Sequence, residues 1–232
     1  MFCLMSLISV SCGKKSGSSS SGEDLTAELT DETTIETDDA VRGASTDTDE
    51  TDVTKVTVKA GSTVPAQAMT FGSNIKFMNL TAAQKTKYNK AIAIVKKVVA
   101  TESFRTKVLN FKYGGVKQFV NNNGKSNAQI YQSILDAAEN LTPAKNNKMD
   151  LGVKMYYQAS SVVGYTSTGI TYINVNTKFF NSYTANEVAG NLFHEWLHKL
   201  GYGHDASATS RRPYSVPYAV GYMIRDLGRN FI

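Results

Sequence analysis

The chain has 232 residues, with 25 Lys and Arg against 20 Asp and Glu and a net charge of +5. That average hides a division: residues 23–52 hold twelve acids and one base, a net of −11, whereas residues 53–232 hold 22 bases and 8 acids, a net of +14. Such segregation excludes a single homogeneous domain. The two cysteines are Cys3 and Cys12, so residues 53–232 can contain no disulfide, no cysteine-bearing zinc site and no cysteine nucleophile.

Residues 1–11, MFCLMSLISVS, are a short apolar run that closes on small residues just before Cys12. The run is too short to span a bilayer, so residues 1–12 read as a secretion leader. The leader resembles a bacterial lipoprotein signal, in which the cysteine after small residues becomes the lipidated first residue of the mature chain. The resemblance implies a lipid anchor on Cys12 and a place in the cell envelope. The outer membrane is favoured, because Gly13 rather than Asp follows Cys12; a plain secreted protein is the alternative.

Residues 13–52 are Ser, Gly, Thr and acid with few aromatic or branched apolar residues. Such a segment cannot bury enough surface to offset its ordering entropy, so a disordered acidic tether is expected. Two roles are open for it. It can hold the domain at 53–232 off a membrane, or its −11 charge can fold back onto the +14 domain and hinder the site there.

Within that domain, VTKVTVK at 53–59 alternates β-branched with polar residues and predicts a strand. Residues 82–109 predict a helix, with Ala91, Ile92, Val95, Val98 and Val99 at helical spacing and an interruption at 101–103. NNNG at 121–124 is a turn, and Ser126 begins a second helix reaching about residue 141. Strands are expected at 153–158 and 169–175, joined by a Ser/Gly-rich connection around Gly164. Helices, then strands, then a further helix predict an α+β domain with a small mixed sheet.

All three histidines lie in HEWLHKLGYGH, from His194 to His204. His194 and His198 are one helical turn apart, so both imidazoles project from one face and can grip one ion. Glu195 can lean over the same face without being a ligand and take a proton from water. Thr184 and Glu187 have capping-box spacing, which starts the helix near Ala185, and Val188, Leu192 and Trp196 form its inward stripe. Gly201 can end the helix in a left-handed turn that returns His204 as third ligand, leaving one tetrahedral position open.

The string His194-Glu195-x-x-His198-x-x-Gly201-x-x-His204 resembles the signature of the metzincin zinc metallopeptidases. The resemblance implies one catalytic Zn2+ held by His194, His198 and His204, with Glu195 activating its bound water against a peptide bond. It implies a zincin fold: a small twisted sheet, a backing helix and an active-site helix, with an edge strand that aligns the substrate. Residues 169–175 are the candidate edge strand. It also implies a methionine turn beneath the metal, for which Met223 is the candidate, although Tyr218 and Tyr222 stand four apart and could share a helix face instead. Tyr218 and Tyr222 are the candidates for stabilising an oxyanion, the choice among Tyr214, Tyr218 and Tyr222 is open, and aromatic core packing is the favoured role for any one of them.

Arg211 and Arg212 fall in the segment that shapes the pocket after the scissile bond in this family, so they either select acidic side chains or face solvent. The basic domain should be drawn to anionic surfaces. No nucleic-acid motif is present. A second class of function is a surface-anchored binding or adhesion lipoprotein whose zinc is structural.

Overall fold

The computed structural model describes Glu32–Thr33 and residues 70–231. The leader with Cys12, the rest of the acidic segment and the expected strand at 53–59 lie outside the described residues. In chain order the elements are β1 (Glu32–Thr33), β2 (Gly72–Phe77), α1 (Ala82–Val99), α2 (Glu102–Asn110), α3 (Asn127–Asp136), β3 (Lys148–Tyr156), β4 (Gly164–Tyr165), β5 (Tyr172–Asn176), α4 (Thr177–Phe180), α5 (Ala185–Lys199) and α6 (Val216–Gly228).

Strands β2, β3, β5 and β4 lie side by side in that order as a four-stranded mixed sheet. β2 pairs parallel with β3, β3 parallel with β5, and β5 antiparallel with β4. Parallel neighbours need a crossover, and α1, α2 and α3 supply the one between β2 and β3. The central strand β3 buries Met149, Leu151, Val153 and Met155 at alternate positions. β1 pairs antiparallel with the outer side of β4.

The helices form where local chemistry closes their ends. Thr81 and Ser126 each begin a capping box, accepting from the N–H of Gln84 and Gln129 while those side chains reach back to the cap N–H groups. The expected helix at 82–109 divides because Thr101 caps a new start, its hydroxyl accepting from the Phe104 N–H. The second helix ends at Asp136, short of the expected 141, because Ala137 turns left-handed with φ 48°. Ile94 rather than Ile92 completes the buried face of α1.

Three readings of the sheet need correction. β3 begins at Lys148 rather than 153, and β2 was not foreseen, its only apolar side chains being Ile75 and Phe77. The segment expected as the edge is β5, which lies inside the sheet between β3 and β4. Outside β5 comes β4, within the connection around Gly164, whose two residues are too few to show an alternating pattern; β1 lies beyond it and β2 forms the opposite edge.

Helix α5 carries His194, Glu195 and His198, with thirteen of its fifteen residues buried. It packs against α1 and most extensively against α6. The α5–α6 crossing is a backbone contact. A Cβ on Gly190 would lie 2.9 Å from the Gly221 carbonyl oxygen, and a Cβ on Gly221 would lie 3.1 Å from the Gly190 oxygen and 3.2 Å from the His194 Cβ. Gly221→Val should therefore force the helices apart and destabilise the fold by about 1–3 kcal/mol in chemical denaturation; an unchanged midpoint would contradict this account of the crossing.

Candidate metal centre

The C-terminus of α5 determines where the second and third histidines can go. Gly201 adopts φ 88°, its N–H bonds to the His198 carbonyl at 3.0 Å, and the Tyr202 N–H reaches the Leu197 carbonyl at 3.1 Å. This pair of bonds is a Schellman closure, which a left-handed glycine permits. It points the Tyr202 carbonyl back at the helix, where it lies 2.7 Å from Nδ1 of His198. Nδ1 of His204 lies 3.0 Å from the Asp205 carbonyl oxygen. The Pro217 carbonyl, from the first turn of α6, is hydrogen-bonded to His194.

A carbonyl oxygen only accepts, so each of these contacts places the imidazole proton on the nitrogen facing it and leaves the other nitrogen as a lone pair. Ligand atoms of His194, His198 and His204 all lie within 4.8 Å of one another. Nε2 of His194 and Nε2 of His198 are 3.2 Å apart. Two lone pairs at that distance repel unless a cation lies between them, and two nitrogens about 2.05 Å from a tetrahedral zinc stand about 3.3 Å apart. Burial holds His194 well below the ordinary imidazole range, with His198, His204 and Arg212 pushing the same way, and burial holds His198 at about 4. Both rings are therefore neutral near pH 7, as ligands must be. The three-histidine group fits a metal ion.

Glu195 is wholly buried on the same helix. Its Oε1 lies under β4: a Cβ on Gly164 would come within 3.1 Å of it and 3.5 Å of Asn191 Oδ1. Tyr88 of α1 is close enough that the Glu195 carboxylate adds to burial in raising the phenol above its ordinary range. Behind the helix, Trp196 Nε1 donates to Glu139 Oε1 at 2.6 Å, and the Glu139 carboxylate also accepts from the Asp150 N–H and the Thr142 hydroxyl. Lys199 is buried and donates to the carbonyls of Ser167 and Ile170 at 2.8 and 2.7 Å, which ties the β4–β5 connection to the end of the metal helix.

The segment after His204 differs from a methionine turn. Met223 lies inside α6, helical and buried in the core. What abuts the histidines is Tyr218, whose ring stands edge-on to His194 at 4.6 Å and lies 4.9 Å from His204. Tyr222 is one turn further, its ring 5.8 Å from Tyr218. Tyr214 packs instead with Tyr113 and Phe111. Of the two arginines, Arg211 is exposed, whereas Arg212 is only 5% exposed and sets its guanidinium 5.1 Å from the Tyr218 ring centroid. The Asp205 carboxylate, held below its ordinary range by bonds from the Thr209 hydroxyl and the Asn121 amide, fastens the loop after His204.

Pro217, Gly221, Glu139 and Asn191 are absent from the sequence reading of the site. Ser215 before Val216-Pro217 is a helix-start signal that could have placed α6. The Glu139–Trp196 pair, 57 residues apart, carries no local signal. Comparison with protein-family models, with curated proteins and with solved structures returns no match.

Gly201→Ala places a Cβ at φ 88° and should weaken zinc binding about 10- to 100-fold, because the Tyr202 carbonyl no longer orients His198. A competition titration against a chromophoric chelator measures this. Native affinity in the variant would remove the turn from the account of the site.

Proposed function

We propose that this chain is a zinc-dependent endopeptidase of the metzincin kind, held at the cell surface through a lipid on Cys12 or secreted. The observation that carries the reading is the union of three carbonyl-locked imidazoles with a buried carboxylate next to the first of them. Three protein ligands leave a tetrahedral ion one open position, the pattern of catalytic rather than structural zinc. A structural site has no use for Glu195, and burying an acid is costly unless the fold retains it for a purpose. Strand β4 over Glu195 supports the reading further, since pairing along its outer side, where Thr33 of β1 lies, is how an extended peptide backbone would be held beside the carboxylate.

Bound zinc would supply Lewis acidity, acidifying water and polarising the carbonyl under attack. Glu195 accepts the proton from the attacking water and can deliver it to the leaving amine. His194, His198 and His204 would hold the ion, each ring fixed through its outer nitrogen by the main chain. Tyr218, packed on His194 and His204, is the nearest candidate for an oxyanion donor, and Tyr222 lies further off. Anionic envelope polymers or lipids are the expected surroundings for the +14 region. Among the described residues no helix is long and apolar enough to cross a membrane.

Glu195→Gln should lower casein-type hydrolysis by about 10²-fold or more while one zinc per chain is retained. Hydrolysis should also stop with a chelator and return with zinc. Stoichiometric zinc with no hydrolysis by the native chain would favour a binding lipoprotein with structural zinc.

A further inference from the structure

The acidic segment meets the domain at one described place, and that place is beside the candidate site. Glu32 is opposite Tyr165 and Thr33 opposite Gly164, antiparallel. The Val163 carbonyl faces the other way, accepting the Asn176 N–H of β5 at 2.8 Å. By strand alternation Gly164 presents its own N–H and C=O outward, to Thr33. Gly164 is also the residue whose Cβ would come within 3.1 Å of Glu195 Oε1. Thr33 therefore stands one strand spacing, about 4.8 Å, from the residue whose missing side chain leaves room for the carboxylate of the site.

We propose that the outer edge of β4 is a docking edge and that its occupant in the intact chain is the chain's own acidic segment, paired at Thr33, which withholds that edge from other extended peptides. The docking stands on the strand pairing; its effect on hydrolysis rests on the peptidase reading above. Three features bind the occupant. Backbone pairing at Thr33 satisfies polar groups that an edge strand otherwise leaves open. Residues 23–52 carry −11 and residues 53–232 carry +14, opposite charges whose attraction acts over about 10 Å at 0.1 M salt and about 3 Å at 1 M. The 36 residues between Thr33 and Thr70 keep the segment attached, which sets its effective concentration near the millimolar range. An incoming peptide must displace the segment to reach the same N–H and C=O of Gly164.

The test compares the zinc-loaded full chain with full-length Thr33→Pro, which removes the N–H facing Gly164, and with Thr33→Val, which keeps it. The substitutions lie in the acidic segment, away from the core of the domain. In the native chain and Thr33→Val, amide exchange at Gly164 should be slow and independent of protein concentration; in Thr33→Pro it should be fast. The proline variant should hydrolyse a casein-type substrate with kcat/KM roughly three- to tenfold higher. The native chain should close that gap as salt rises from about 0.1 to about 1 M. Equal Gly164 exchange in all three proteins would overturn the docking, and protection lost on dilution would assign the edge to a second copy. Faster exchange with unchanged hydrolysis would overturn the withholding. Faster exchange with no hydrolysis by any of the three would overturn the peptidase reading and leave the docking standing.

Discussion

Three imidazole lone pairs can face one point only if the opposite nitrogen of each ring is held by an acceptor. Here the acceptors are main-chain carbonyls of Tyr202, Asp205 and Pro217. Each fixes both the tautomer and the rotation of its ring, so the ligand set is organised before any ion arrives. Everything near the site can be traced to placing those three carbonyls. The left-handed Gly201 turns Tyr202 back onto the helix. Asp205, bonded to Thr209 and Asn121, steadies the loop that supplies the second carbonyl. The glycine crossing of α5 and α6 brings Pro217 under His194.

The burial of α5 follows from the same need. A helix that carries two ligands and an acid is polar in its last turns, yet its residues from Val188 to Lys199 are all buried. Phe193 and Trp196 pack with Phe71 and Phe104, an aromatic cluster that contributes a large apolar area. The polar atoms near the end of the helix are met by specific partners: Trp196 by Glu139, Lys199 by two loop carbonyls. Trp196 and Lys199 stand three residues apart, so these bonds hold the side of the helix that faces away from the metal ligands.

How much of this was legible in the sequence depends on distance along the chain. The ligands, the acid and the turn between them occupy eleven residues, and the rule linking spacing to geometry is local, so the string alone specifies His194, His198, Gly201 and His204 as a set. Capping chemistry is local too, and Thr184 with Glu187 marks the start of the helix correctly: the Glu187 carboxylate accepts from the Thr184 N–H at 2.7 Å. Residues 169–175, the last strand candidate before the helix, form an inner strand because order in the sheet does not follow order along the chain, and β4, which flanks them, has only two residues. For the segment around Met223 the sequence leaves a turn and a helix open, and the helix is what forms: Ser215 and Pro217 start it, and Tyr218 lies against the rings. The burial of Arg212 is a tertiary outcome, fixed by the Tyr218 face that receives it.

The use of carbonyls as ring-holders has a further implication for how this chain can change over time. A carbonyl is supplied by any amino acid, so Tyr202, Asp205 and Pro217 hold the imidazoles by position along the backbone and not by the chemistry of their side chains. The side-chain identities that the centre itself demands reduce to three histidines, an acid and the few glycines where backbones or turns come too close for a Cβ. Most of the remaining sequence is free to drift as long as the backbone path survives. In such a protein the arrangement at the centre can persist after resemblance along the rest of the chain has worn away.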